Sequence, residues 1–201
     1  MRYDETELRQ RLETLPPRAR AVFAVSCVTE HLRSYDEYHR KANRGDPAVV
    51  RGALERLLTD LDGTEINRRE LEADLERVMA VIPREDDEPW FEEQAYAEDV
   101  AAALAYAIRA RLTGSSQEAA WAARRCYELA DHAAINELEE EGNESPDEET
   151  ILHHPRVQAE LERQAQKLSA IENVGETAVL RAVTEEYRAR THDDDEGGAQ
   201  S

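Results

Sequence analysis

The amino-acid sequence predicts an all-α protein, a single-domain helical bundle of about seven to nine helices around a central alanine-rich helical hairpin. Apolar residues recur every three or four positions, and no segment alternates apolar and polar residues as a strand would. Within about residues 91–138, two alanine-rich arms flank the turn Thr113-Gly114-Ser115-Ser116. Alanine is the best helix former and has a small side chain, so two such helices form readily and approach closely. We expect Gly114 to end the first helix and Ser116 to cap the second.

Four helices are predicted before the hairpin. The first lies within residues 4–15 and ends at a Pro-Pro pair. The second covers residues 18–39, where a wide apolar stripe predicts burial on more than one side, with a kink near Ser34. A Gly-Asp-Pro turn then predicts a helix over 48–61, because aspartate caps a helix and proline favours its first position. The fourth helix covers residues 67–82.

The segments on either side of the hairpin predict two connections and further helix. Residues 83–89 form an acidic loop, and Trp90-Phe91 is expected to anchor the entry to the hairpin. Residues 139–149, rich in glutamate and broken by glycine and proline, predict a surface connection. His153-His154-Pro155 then opens a helix that Gly175 kinks or splits.

The chain is predicted to form one helical domain over residues 1–191, followed by a disordered acidic tail over 192–201. Apart from one alanine the tail, HDDDEGGAQS, has no apolar residue with which to join a core. Within the domain, we expect the helices that begin near Arg18 and Pro155 to pack against the hairpin.

The charge of the chain is its most unusual property. Aspartate and glutamate number 45 against 25 lysine and arginine residues, which gives a net charge of −20, and Lys41 and Lys167 are the two lysines. Scattered acids with few lysines are typical of a protein from a high-salt cytoplasm, where salt screens the repulsion of like charges over a Debye length of about 3 Å at 1 M. The alternative is an ordinary acidic protein from a GC-rich genome, in which arginine codons replace lysine codons.

Charge and hydropathy also exclude classes of partner. Binding to nucleic-acid phosphates relies on lysine and arginine, so the acidic excess argues against a nucleic-acid partner. The longest uncharged apolar runs are far shorter than the roughly 20 residues of a membrane span. The first residues, Met1 to Glu5, lack the features of a signal peptide. Cys27 and Cys126 lie within apolar helical patterns, which predicts buried, reduced thiols in a cytoplasmic protein.

Several short motifs, in this order and spacing, give the chain a resemblance to a known family. They are Glu30 with Ser34-Tyr35, Ile82-Pro83, Ala97-Glu98-Asp99, Leu112-Thr113-Gly114, Asp147-Glu148-Glu149 and the run Pro155-x-Val157-x-x-Glu160-x-x-x-Gln164. The chain resembles the YjaG-like family of unknown function, domain of unknown function 416, over residues 10 to 175. The resemblance implies an all-helical cytosolic protein without an established activity, with a suggested link to signalling. The chain departs from the family in its acidity, its acidic tail and a missing proline before Ser34-Tyr35.

One constellation in the hairpin is a candidate ligand site. Antiparallel partners across the turn have residue numbers that sum to about 230, which places Asp99 level with Asp131 and beside His132. Glu128 lies one turn before His132 on the same helix. Carboxylates with an imidazole are able to bind a divalent metal or to move a proton. The structural alternative is that Asp99 forms a polar bridge to His132 or to an arginine.

The other histidines are predicted to have structural rather than chemical roles. His31, Tyr35 and His39 share one helical face, but the two histidines lie about 12 Å apart along the axis, too far to chelate one ion. The adjacent pair His153-His154 belongs to a helix start, where neighbouring side chains point in different directions. Glu30 and Tyr35 are expected to make structural hydrogen bonds.

The sequence favours a non-enzymatic function. It has no glycine-rich phosphate loop, no G-x-S-x-G and no H-E-x-x-H motif, and it predicts no cofactor. The first hypothesis is a helical interaction or regulatory module that binds another protein or forms a homodimer. The second is a metal sensor or metal-dependent enzyme that uses Asp99, Glu128, Asp131 and His132. Mimicry of nucleic acid by an acidic stripe is a third, but the acids are scattered around every helix.

The charge pattern generates a prediction about salt. If the acidic surface is adapted to concentrated salt, the free energy of unfolding rises as KCl is raised to molar concentrations, because screening removes repulsion between carboxylates. Urea denaturation across a KCl series measures this directly. An unfolding midpoint that stays constant across the series would leave the GC-rich genome as the explanation of the composition.

Overall fold

The alanine-rich segment forms the centre of an all-α fold. In a computed structural model, the structure describes residues 1–64, 66–84, 89, 91–143 and 145–197, with side chains as far as Thr191. Over these residues the chain forms ten helices and no strand: α1 (Glu5–Glu13), α2 (Pro17–Val28), α3 (Leu32–Ala42), α4 (Pro47–Leu61), α5 (Arg68–Ala80), α6 (Glu93–Thr113), α7 (Ser116–Glu140), α8 (Glu148–His153), α9 (Pro155–Val174) and α10 (Glu176–Gly197). The predicted single-domain helical bundle is confirmed.

Helices α6 and α7 form the predicted hairpin and make the most extensive helix–helix contact in the described structure. Gly114 ends α6 in the left-handed conformation, with φ of 69°, where glycine has no steric cost. Ser115, rather than Ser116, caps α7, because its extended backbone lets its side chain accept from the Glu118 N–H. Ten alanines of the two helices are fully buried: Ala97, Ala101, Ala103, Ala107, Ala110, Ala119, Ala120, Ala122, Ala123 and Ala134.

The remaining helices surround the hairpin. The apolar helix α2 packs against both arms, α3 and α5 pack on α6, and α1 and α9 pack on α7. The expected positions of the helices that start near Arg18 and Pro155 are therefore found. Helix α4 lies against α5, and α10 lies against α9 and α2, so these two helices form an outer layer.

The predicted helix over residues 18–39 is broken at Thr29–His31 rather than kinked near Ser34. The carbonyl of Ser26 accepts hydrogen bonds from the Thr29 hydroxyl, at 3.1 Å, and from the Lys167 ammonium group of α9. Side chains thus replace the backbone N–H that would continue α2, and such bonds compete with helical ones. The break and the added short helix α8 account for ten helices where seven to nine were expected.

The C-terminal region also differs in detail from expectation. Gly175, with φ of 97°, splits α9 from α10 as anticipated. The backbone of 192–197 continues α10, where the sequence predicted a disordered tail, because each further helical residue adds one backbone hydrogen bond to a helix that is already packed. The rest of the predicted tail, 198–201, lies outside the described residues, as do residues 85–88 of the acidic loop and the predicted anchor Trp90.

Close approach of the hairpin arms generates a prediction. Ala103 is fully buried in α6, so Ala103→Leu overpacks the core and costs about 1–3 kcal/mol of unfolding free energy. Ala95→Leu, at a partly exposed position of the same helix, is the matched control, because it makes the same change in helix propensity without that burial. Urea denaturation of both variants measures the difference. Equal stability of the two would mean that the hairpin interior has room for a larger side chain.

Candidate functional site

A polar cluster lies within the hairpin, and we call it the hairpin cluster: Asp99 of α6 with Arg125, Glu128, Asp131 and His132 of α7. Asp99 is only 2% exposed. Its Oδ1 accepts a hydrogen bond from Arg125 Nη1 at 3.0 Å, and its Oδ2 lies 3.1 Å from His132 Nδ1. The turn geometry therefore brings Asp99 and His132 together in the expected register.

Arginine neutralises part of the negative charge of the hairpin cluster. The hydrogen bond with Asp99 raises the pKa of His132 above its ordinary value, against the opposing effect of burial. Burial raises the pKa of Asp131, more than its interaction with Tyr127 lowers it. The Arg125 guanidinium is the cation beside Asp99 in this structure. The geometry supports the polar bridge at this level of the hairpin.

Glu128 also belongs to this arginine network rather than facing Asp99. Its Oε1 accepts from Arg124 at 2.8 Å, one helical turn away, and its Oε2 lies 3.2 Å from Arg125. The four predicted ligand residues therefore divide into a bridged pair, Asp99 and His132, and two acids that point to other partners.

A second polar group, more deeply placed, was not recognised in the sequence. We call it the interior cluster: His31 at the α2–α3 break, Cys126 of α7, and Glu160 of α9 with its neighbours Arg163 and Gln164. The side-chain ligand atoms of the first three residues all lie within 4.8 Å of one another. Glu160 is 1% exposed and Cys126 is 2% exposed, while His31, at 9%, forms the outer edge.

Both oxygens of Glu160 have hydrogen-bond partners. Oε1 accepts from Gln164 Nε2 at 2.7 Å, and the same amide reaches the Ala123 carbonyl of α7 at 2.9 Å. Oε2 lies 3.2 Å from His31 Nε2 and also accepts from Arg163. Burial alone would raise the pKa of Glu160, but the bond and charge of His31, with Arg163 and Gln164, outweigh it and lower the pKa. Glu160 is therefore a buried carboxylate.

The two thiols lie in the same region of the core and are reduced. Burial raises the pKa of Cys126 well above its ordinary value, and burial likewise raises that of Cys27 to about 12. Both side chains are therefore neutral thiols near neutral pH, as the sequence predicted for buried cysteines.

A signal for the interior cluster is present in α9. Val157, Leu161 and Leu168 recur at helical spacing and are buried, and Glu160 and Gln164 occupy the same buried face. Polar residues on the core face of a helix require buried partners, because an unpaired buried charge is costly. The partners themselves, at the α2–α3 break and on α7, are too distant in the sequence for spacing to reveal.

Two other residues of the family motifs, Glu30 and Tyr35, make structural contacts. Glu30 pairs with Lys167 at 3.2 Å and with Arg190 at 2.8 Å, which ties the α2–α3 break to α9 and α10. The hydroxyl of Tyr35 donates to the Val81 carbonyl at 2.8 Å.

Pro155 and several histidines lie at or near helix boundaries. Pro155 occupies the first position of α9, behind a His154 side chain that accepts from the Arg156 N–H. His39 Nδ1 contacts the Arg44 carbonyl at 2.9 Å, and His153 Nδ1 contacts the Glu149 carbonyl at 2.7 Å, so neither approaches His31. These histidines have the structural roles that the sequence assigned to them.

The outer surface of the hairpin carries a mixed patch, which we call the hairpin patch. The Tyr106 and Trp121 rings have centroids 5.4 Å apart, and the Arg109 guanidinium lies over Tyr106 at 5.7 Å. Beside the rings, Arg124, Arg125 and Glu128 complete a cleft of about 180 Å³. One further contact, between Arg109 and the sulfur of Met79 at 3.4 Å, joins the patch to α5.

Glu118 lies at the rim of the hairpin patch, and its carboxyl group has an unusual environment. Its Oε2 is buried and has no hydrogen-bond partner, and burial raises the pKa of its carboxyl while Arg109 lowers it. The patch thus has aromatic rings at its centre and both signs of charge around them.

Comparisons with known proteins identify the family of the chain. The family described as protein of unknown function (DUF416) matches residues 7–191. The chain belongs to the DUF416 family. The crystal structure of a DUF416 family protein from Shewanella baltica OS155 is similar to this DUF416 chain, with a TM-score of 0.71, 20% sequence identity and coverage of 90% of this chain and 93% of that chain. At this identity the likeness establishes the fold alone. Comparison with curated proteins finds no match.

Over the part of the chain that the structure describes, no helix has both the length and the apolar composition needed to cross a bilayer.

The Asp99–His132 bridge generates a pH prediction. The pKa of His132 is raised in the folded protein, so its stabilising contribution is fully present below the unfolded value near 6.5 and is lost as pH rises through the folded value. We expect the stability difference between the wild type and His132→Gln to be larger at about pH 5.5 than at about pH 8.5. Urea denaturation at the two pH values measures it.

The control for that experiment is His153→Gln, since His153 contacts a carbonyl rather than a carboxylate. Its effect on stability should show no comparable rise at acidic pH. A His132→Gln difference that is the same at both pH values would contradict the bridge between Asp99 and a protonated imidazole.

Proposed function

We propose that this protein is a cytoplasmic, non-enzymatic helical interaction module with a regulatory, signalling-related role, adapted to concentrated salt, which associates with a second copy of itself. The observation that carries the proposal is the hairpin patch, with Tyr106 and Trp121 at its centre and Arg109 over one ring. Tryptophan, tyrosine, arginine and methionine are the residue types enriched at protein interfaces and at their energetic hot spots.

Self-association fits the charges around the hairpin patch. A two-fold interface places the same surface of both subunits in contact, so the patch has to be complementary to itself. Arg109 and Arg124 lie beside Glu118 and Glu128 around the same rings. A two-fold arrangement lets the arginines of one subunit meet the glutamates of the other.

The alanines of the hairpin do not provide the interface. The sequence suggested a homodimer because alanine-rich helices pack closely between subunits, but ten of these alanines are fully buried inside one subunit. The outward face of α6 and α7 offers aromatic and charged side chains instead, which is why the proposal rests on Tyr106 and Trp121.

The buried acids support a structural rather than a chemical role for most polar groups of the core. Asp60 is paired with Arg111 at 2.5 Å, and Asp74 is paired with Arg56 at 2.6 Å. Removing one partner of a buried ion pair is destabilising, because it leaves an uncompensated charge. These pairs, like the one at Asp99, hold neighbouring helices together, and this supports a non-enzymatic function.

Salt adaptation and self-association are linked in this proposal. Two subunits of charge −20 repel each other at low ionic strength, and molar salt shortens the range of that repulsion to about 3 Å. Short-range contacts between the aromatic rings of the two patches then determine whether the subunits associate. Association is therefore expected to strengthen as KCl rises.

This proposal predicts the effect of truncating the hairpin patch. Trp121→Ala and Arg109→Ala each weaken dimer formation in molar KCl by about tenfold to thirtyfold, from about 1.4–2 kcal/mol of lost hot-spot contact. Light scattering coupled to size-exclusion chromatography, over a concentration series, measures the dissociation constant. Each variant should keep the helical circular dichroism of the wild type, because both side chains are partly exposed rather than part of the core.

The matched control is Arg33→Ala on α3, since Arg33 is largely exposed and pairs only with Glu37 one helical turn away in the described structure. Its dimer should be as stable as that of the wild type. A wild-type protein that remains monomeric at every protein and KCl concentration would refute self-association through this patch.

A further inference from the structure

We propose that His31, Cys126 and Glu160 form a binding site for a single transition-metal ion of the zinc type. Three helical regions that are far apart in the sequence bring an imidazole, a thiol and a carboxylate together in the core, with ligand atoms within 4.8 Å of one another. The proposal is independent of association through the hairpin patch, and it places the metal at different residues from the hairpin cluster.

The distances suit tetrahedral coordination. Zinc binds sulfur at about 2.3 Å and nitrogen or oxygen at about 2.0–2.2 Å, so two ligands of one tetrahedral site lie about 3.3–3.8 Å apart. His31 Nε2 and Glu160 Oε2 already lie 3.2 Å apart. The remaining separations, which reach at most 4.8 Å, need to close by about 1 Å.

The donor set selects the class of metal. Thiolate sulfur with imidazole nitrogen favours zinc and its neighbours over Mg²⁺ and Ca²⁺, which take oxygen ligands. Three protein ligands leave the fourth tetrahedral position open to water. His31 lies at the edge of the cluster, so that position has access from the surface.

The charges of the ligands also match the charge of the metal ion. Coordination requires the Cys126 thiol to release its proton to solvent and the His31 imidazole to be neutral at the ligating nitrogen. One thiolate and the Glu160 carboxylate then neutralise the two positive charges of the metal ion. The Arg163 guanidinium, which contacts Glu160 Oε2 from a partly exposed position, adds one positive charge at the edge of the site.

Outer hydrogen bonds are already in place around the carboxylate. Gln164 holds Glu160 Oε1 at 2.7 Å and is itself fixed by the Ala123 carbonyl. Arg163 reaches Oε2 from a partly exposed position. Ligating carboxylates in proteins are commonly hydrogen-bonded in this way, which orients them for the metal. These bonds explain why a carboxylate would be kept inside an alanine-rich core.

The experiment uses the full chain, stripped of metal with a chelator and kept reduced. Equilibrium dialysis against Zn²⁺ with elemental analysis measures stoichiometry, and titration with Co²⁺ detects a thiolate-to-cobalt charge-transfer band. We expect one equivalent of metal and a thiolate band in the wild type. Cys126→Ala should lose that band and weaken zinc binding by about 100-fold or more.

Two variants serve as controls, and a third keeps the test valid if Cys126→Ala fails to fold. Cys27→Ala removes the other buried thiol, and His132→Ala removes the imidazole of the hairpin cluster; both should bind zinc as the wild type does. His31→Gln, at the cluster edge, should weaken binding by about tenfold or more without a change in helical content.

Three outcomes would overturn the proposal. The first is folded wild-type protein that binds no stoichiometric Zn²⁺. The second is unchanged binding in Cys126→Ala and His31→Gln. The third is loss of binding in His132→Ala with Cys126→Ala unaffected, which would move the metal to the Asp99 level of the hairpin.

Discussion

The close contact between α6 and α7 is the constraint on which the rest of the structure depends. Fully buried alanines line these helices, and side chains this small let two backbones approach more closely than leucine would. Burying alanine removes little apolar surface from water per residue, so the hairpin cannot stabilise the fold by itself. The larger apolar residues of the surrounding helices, α2 and α9 among them, supply the missing burial by packing around it. The hairpin sets the geometry, and the surrounding helices provide most of the hydrophobic free energy.

Helix α7 also determines where the polar interior lies. Toward α6 it presents His132 and Arg125 to Asp99, and toward α9 it presents Cys126 to Glu160. A guanidinium contacts the carboxylate in each group, Arg125 at Asp99 and Arg163 at Glu160, and the second group also combines three ligand types of different softness. One helix therefore carries a structural bridge in the hairpin and a candidate metal site behind it. The proposed interface uses its outer surface and shares Arg125 and Glu128 with the hairpin cluster, whereas the candidate metal site lies on the α9 side.

Local signals made much of this architecture predictable. Helix starts at Asp46 and Pro47, the turn at Gly114 and the level of Asp99 with His132 all follow from residues close together in the chain or from a short hairpin. The interior cluster did not follow, because His31, Cys126 and Glu160 meet only through tertiary packing. Polar residues on the buried face of α9 marked one side of that contact, but no spacing rule identifies the other. The break after α2 escaped prediction for the same reason, since it depends on a side chain of α9.

That break has a consequence for synthesis of the chain. The groups that fix it, Lys167 on the Ser26 carbonyl and Arg190 on Glu30, follow it by more than a hundred residues. Contacts between such distant residues form late, after the intervening chain has been made. While the ribosome still holds α9, nothing competes for the Ser26 carbonyl except the local backbone and the Thr29 hydroxyl. The nascent protein is thus expected to carry α2 and α3 as one longer helix, which bends when the last helices arrive.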